Sequence, residues 1–244
     1  MPKKRVNIKN YLIFIMLVGA AVLSYFYSGD VYTYYMRTYY EKIRGQSIEQ
    51  RLQKAREMYD NHDYEKLRDE LKTLTMVYPE NRELKKLEGL TLIKLGELRM
   101  GAELILSASE GERMPEKLLE ETVSALFEKK MYRDIIIIFK KNSPGTNPNL
   151  LFWYGVSLYE TGGYARAVGY LKQALNEGKA DYEIYHYIGL AFEKSGDTRA
   201  SLPYLEHARN MNADDPDVGM SLANAYRKLG RYNDAAKIMR KIRR

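Results

Sequence analysis

Residues 148–180 read PNLLFWYGVSLYETGGYARAVGYLKQALNEGKA, and the stretch 182–214 reads YEIYHYIGLAFEKSGDTRASLPYLEHARNMNAD. Laid over each other from Pro148 and Tyr182, Gly155 meets Gly189 and Gly162 meets Gly196, and one further equal step reaches Ala223 and Gly230. The residues between keep the same step. Leu158, Phe192 and Tyr226 share an offset, as do Tyr164, Thr198 and Tyr232, and also Ala167, Ser201 and Ala235. Leu171, Leu205 and Met239 form another set, with Ala174, Ala208 and Ile242 behind them. Stepping backward finds Gly89, Leu92, Gly96, Leu98, Gly101, Ile105 and Ala108, and before them Ala55, Met58, Tyr64, Leu67, Leu71 and Leu74, followed by Tyr78-Pro79.

Each offset has a steric reading. Glycine in a helix interior costs about 1 kcal/mol against alanine, so recurrent Gly-x6-Gly implies a packing need at the first position. A second helix approaching Gly155, Gly189 and Ala223 meets that need. Gly162, Gly196 and Gly230 then close the first helix, where a left-handed residue ends it cheaply. Ala167 and Ala235 mark where the paired helices cross. Ala174 and Ala208 mark where the second helix meets the following unit. Pro79, Pro148 and Pro216 lie at or near junctions, and an N-terminal helical proline loses no hydrogen bond there.

This pattern resembles the tetratricopeptide repeat (TPR), a helix–turn–helix unit of about 34 residues. The resemblance covers residues 48–244, in units 48–81, 82–115, 116–147, 148–181, 182–215 and 216–244. It implies an all-α fold, a right-handed superhelical solenoid of about six such units. The third unit departs from the pattern. It is two residues shorter and carries Val123, Lys130, Ile135 and Asn142 where small residues are expected. Its run Ile135-Ile136-Ile137-Ile138-Phe139 could in isolation be a buried strand, but helical neighbours on both sides favour a second helix buried on several sides. In the first unit, His62 stands in the turn where glycine is usual.

Ahead of the repeats, Tyr11–Tyr27 reads YLIFIMLVGAAVLSYFY without a charge. As a helix it would span roughly 26 Å at about 1.5 Å per residue, against about 30 Å of hydrocarbon. Residues 11–27 are therefore expected to be a single transmembrane anchor, with 1–10 as a basic cytoplasmic tail and 28–47 as a Tyr-rich juxtamembrane stalk. Lys3, Lys4, Arg5 and Lys9 keep the tail inside and place the repeats on the periplasmic side of an inner membrane. Arg37, Lys42 and Arg44 on the far side weaken this bias. A cleaved signal peptide ending near Val22-Leu23-Ser24 is the competing reading, although Tyr25 and Phe26 are bulky for that site. If the stalk is helical, Tyr32, Tyr35 or Met36, Tyr39 and Ile43 share one face, which could rest on headgroups, on the first repeat or on another membrane protein.

The net charge of +7 is not a global property. The first ten residues carry four bases and no acid, and 227–244 carry eight bases against Asp234, leaving the span between at −4. A nucleic-acid binder would spread a basic stripe over its folded body. No nucleic-acid partner is expected. The absence of cysteine excludes disulfides, thiolate metal sites and a cysteine nucleophile. Three dispersed histidines (His62, His186, His207) suggest no metal triad, and no phosphate loop, HExxH or GxSxG motif occurs. No cofactor and no enzymatic activity are expected.

By the family's geometry, the first helix of each unit lines a concave surface. Carried onto this sequence, that assigns Leu90 and Ile93 from the second unit and Phe127 from the third. The fourth contributes Phe152, Val156 and Tyr159, and the fifth His186, Leu190 and Glu193. The sixth contributes Met220, Asn224 and Arg227. The lining reads as apolar and aromatic in the middle, turning polar and basic toward the C-terminus, with some members buried by packing. Such a groove suits a helix or an extended peptide of a protein partner. Family members that clamp the acidic C-terminus of a chaperone use lysines and asparagines at these offsets, where Phe152, Val156, His186, Leu190 and Met220 stand here. An apolar ligand segment is expected instead. Charging Phe152 and Tyr159 together is expected to abolish binding without unfolding the array.

The terminal MRKIRR run complements a helix dipole, or else grips an anionic partner or the membrane. A homo-oligomer could form through the uncapped C-terminal unit. Two functions follow from these expectations. One is a non-enzymatic, membrane-anchored scaffold assembling a periplasmic envelope complex, such as a flagellar-motor, secretion or translocon accessory structure. The other is a cytosol-facing receptor for precursor proteins or chaperones.

Overall fold

The computed structural model describes residues 28–43 and 45–242. The basic tail 1–10, the expected anchor 11–27, the alternative cleavage site and the terminal Arg243-Arg244 lie outside the described residues. Among the described residues there are thirteen α-helices and no strand. None of these helices is long and apolar enough to cross a membrane. The chain divides into two compact units, 1–110 and 111–244.

The first unit holds α1 (Ser28–Thr38), a π-helical turn (Tyr39–Ile43), and two hairpins. These are α2 (Ile48–Asp60) with α3 (Tyr64–Val77), and α4 (Arg82–Lys94) with α5 (Leu98–Ala108). Ala55, Leu67, Leu71, Leu74 and Leu84 are fully buried between them, each large side chain contributing about 1.5–3 kcal/mol. Helix α1 packs on α3, with Met36 against this core. Arg37 lies over the Tyr78 ring at 5.0 Å, and the Tyr78 hydroxyl donates to Glu41 at 3.2 Å. Tyr34 and Tyr35 face outward, so Met36 rather than Tyr35 supplies the packing face of α1.

The second unit holds four hairpins: α6 (Glu116–Glu128) with α7 (Tyr132–Lys141), α8 (Pro148–Glu160) with α9 (Tyr164–Asn176), α10 (Tyr182–Lys194) with α11 (Thr198–Met211), and α12 (Pro216–Lys228) with α13 (Tyr232–Ile242). Local chemistry starts these helices. Ser47, Asn81, Asn147, Asp181 and Asp215 each accept a backbone N–H of the first turn, a cap that contributes about 1 kcal/mol. Pro148 and Pro216 follow two of these caps at the position where the lost donor costs nothing. The left-handed turn residue closes the first helix: Gly96, Gly162, Gly196 and Gly230 have φ of 75–98°.

The interior glycines are held by contact. A Cβ on Gly155 would lie 2.7 Å from Leu171 Cγ, and one on Gly189 would lie 2.6 Å from Leu205 Cγ. In these two hairpins the second helix thus crosses where the first has no side chain. In the shorter third hairpin, α7 is ten residues long against thirteen in α9. Asn142 takes over at its end. Its amide donates to the Ile138 carbonyl at 3.1 Å, and its oxygen accepts from the Met114 N–H at 3.2 Å. The isoleucine run is helical and buried on one side: Ile135, Ile138 and Phe139 are inside, whereas Ile137 is 48% exposed. Burial on several sides therefore does not hold, because the helix presents only one stripe to its neighbours.

Candidate functional site

In the second unit, the first helices of the four hairpins open onto a groove of about 860 Å³. Phe127 of α6, Phe152 and Tyr159 of α8, His186 and Leu190 of α10, and Met220 and Asn224 of α12 all line it. The repeat spacing produces this convergence, since residues at one offset of successive first helices point to the same side. The aromatic members touch in series. Phe127 and Phe152 have ring centroids 6.0 Å apart, Phe152 and Tyr187 6.0 Å, and Tyr187 and Tyr159 5.7 Å. Tyr132, opening α7, closes one end at 6.0 Å from Phe127.

The remaining assigned residues fall elsewhere. Val156 is fully buried beneath the groove, so it cannot meet a ligand. Leu90 and Ile93 belong to the first unit, where Leu90 is half-buried and Ile93 is 4% exposed. Glu193 accepts an ion pair from Lys228 at 2.6 Å, and Arg227 is exposed outside the lining. Asp215 and Asp217 line the groove as well, at the start of α12, whereas Arg227 stands in its last turn. Phe152 belongs to the lining and to the core at once. It lines the groove yet is only 3% exposed, wedged between Phe127 and Tyr187 with the Lys179 ammonium 4.6 Å above its ring. A charge there would disrupt packing as well as binding, so charging Phe152 is not a clean test of the surface.

Residues that the repeat offsets did not bring forward complete the site. Tyr182, Glu183 and Tyr187 come from α10, Glu128 and Glu160 from the ends of α6 and α8, and Ser221 from α12. One signal was available: Glu183 and Asp217 occupy one offset of successive repeats, and Glu128 and Glu160 stand one shortened repeat apart. The field of these groups is felt inside. Burial first, then the Glu160 carboxylate with Tyr132, Glu183 and Tyr159, pushes the Tyr187 phenol up to about 12. Burial raises Tyr159 and Tyr132 as well, again assisted by Glu160. His186 is held below its ordinary value by burial, against the opposing pull of Asp215 and Asp217, and its Nε2 lies 2.9 Å from Ser221 Oγ. Aromatic faces, a thioether and a carboxylate rim are equipped for recognition. Among the described residues, no group of three or more histidine, aspartate or glutamate side chains could hold a metal ion.

Residues 193–244 match the family model described as tetratricopeptide repeat. No curated protein matches the chain by sequence. Similar solved structures include MamA AMB-1, at 14% identity and TM-score 0.52, covering 65% of this chain and 95% of that one. YrrB, described as a TPR protein with an unusual peptide-binding site, matches at 14% identity and TM-score 0.55, covering 70% of this chain and 90% of that one. A double mutant of MamA RS-1 matches at 15% identity and TM-score 0.55, over 66% and 92%. At these identities the likeness is one of fold, and that fold is the helical-hairpin solenoid of TPR proteins.

Proposed function

We propose that the chain is a non-enzymatic scaffold whose second unit holds a peptide or helix of a partner protein in its aromatic groove. The single observation behind this reading is the convergence of Phe127, Phe152, Tyr159, His186, Leu190, Met220 and Asn224 on one trough of about 860 Å³. A trough of that size, apolar within and polar at its rim, matches what a bound peptide segment requires. YrrB, with its peptide-binding site, supports the reading by analogy of fold. The uncharged stretch 11–27 would tether the scaffold to a membrane, and the basic residues before it would leave the repeats on the periplasmic side, where they could assemble an envelope complex. A cytosol-facing receptor is the second reading, favoured by Arg37, Lys42 and Arg44 just after the stretch. Self-association through the sixth hairpin would be a separate property of either.

The test is affinity capture from solubilised membranes with the full chain and with Leu190→Gln combined with Met220→Gln. Leu190 is half-buried and Met220 is 42% exposed, so this pair alters the surface without opening the core. Loss of two apolar anchors should lower affinity for the captured partner about tenfold or more. Undiminished capture by a folded double variant refutes the groove reading.

A further inference from the structure

Four carboxylates stand exposed around the groove, those of Glu128, Glu160, Glu183 and Asp217. Among the described residues, none of the four has an ion-pair partner, and Lys130 is the one lysine or arginine of the lining. Stability does not account for all of them. Glu183 and Asp217 occupy first turns, where a carboxylate complements the helix dipole. Glu128 and Glu160 are the last residues of their helices, where a carboxylate opposes it. Their placement does not serve the helices they end. Tyr132, Tyr159 and Tyr187, all within the field of Glu160, line the same groove, and aromatic ring faces attract cations. The chain already seats Lys179 over Phe152 in this manner.

Building on the groove reading above, we infer that the occupant is a cationic segment of a partner protein, in which arginine or lysine side chains are interspersed with apolar ones. The apolar side chains meet Phe127, Leu190 and Met220, and the cationic heads lie over the tyrosine rings between the carboxylates. The chain's excess of bases lies at its two ends and the span between is −4, so substitution of the four rim carboxylates, rather than net charge, separates the groove from general attraction. An acidic segment would face the rim with like charge on both sides.

The probes are three synthetic amidated peptides, in which pairs of leucines alternate with pairs of arginines, glutamines or glutamates. Each is titrated calorimetrically into the full-length chain. The arginine peptide should bind about tenfold or more tightly than the glutamine peptide, with the glutamate peptide weakest. Replacing Glu128, Glu160 and Glu183 by Gln together with Asp217→Asn should weaken the arginine peptide about tenfold and leave the glutamine peptide unchanged. Raising salt from about 50 to about 300 mM should weaken it in the unaltered chain, which tests the same field without any substitution. Equal or tighter binding of the glutamine or glutamate peptide, or salt-independent binding of the arginine peptide, overturns the charge preference while the peptide groove stands. Failure of all three peptides to bind also overturns it, and the capture experiment with Leu190→Gln and Met220→Gln then decides whether the groove reading survives.

Discussion

At the turn between paired helices, His62 and Lys130 hold φ of 64° and 56°, the left-handed conformation that glycine takes in the other four hairpins. An L side chain in that region costs roughly 1–2 kcal/mol, partly offset by the greater freedom glycine has when unfolded. Lys130→Gly and His62→Gly should each raise the urea midpoint, equivalent to about 0.5–1 kcal/mol, and an unchanged or lower midpoint would show that the side chain compensates. The two departures were visible in the sequence as breaks in the glycine register. Their conformation was not, because a lysine at that offset could equally have reshaped the turn. Asn142 shows the other limit: its two hydrogen bonds join a helix end to Met114, a residue 28 positions away that no local pattern connects to it.

Among elements, the first helix of each hairpin carries most of the information that can be read without coordinates. A small residue at its centre predicts the crossing, and the crossing is what the structure shows at Gly155 against Leu171 and Gly189 against Leu205. Gly155→Ala would place a methyl 2.7 Å from Leu171 Cγ and 3.2 Å from the Leu171 backbone nitrogen. Overpacking of this kind costs about 1–3 kcal/mol, which outweighs the gain of under about 1 kcal/mol in helix propensity. Gly155→Ala should therefore lower the thermal midpoint, and pairing it with Leu171→Ala should be less damaging than the sum of the two. Strict additivity would mean that the two helices do not compete for this space. The isoleucine run of α7 was ambiguous by periodicity alone, and the helical hairpins around it resolved the choice.

For the whole molecule, charge could be counted from the sequence but not located. Two basic ends and an acidic middle are plain from the residues, but not that Glu128, Glu160, Glu183 and Asp217 gather on one groove. The repeat period fixes which helix face is presented. It does not fix how far along each helix the groove extends, and that extent admits Asp217 and leaves out Arg227. The topology of the segment 1–27 is a matter of hydropathy and charge bias. A reporter enzyme fused after Arg244 should be active only outside the cytoplasm if the tail 1–10 stays inside, and activity confined to the cytoplasm would reverse the orientation and favour a precursor receptor.

The chain has a single tryptophan, and Trp153 sits on α8 with its ring 6.1 Å from that of Phe127, a member of the groove wall. Its emission therefore speaks for the second unit alone and is silent about the first. Occupation of the trough can be watched through that indole without any label. With no native thiol to interfere, a lone cysteine introduced anywhere on the first unit would accept a dye that reports separately on the other half.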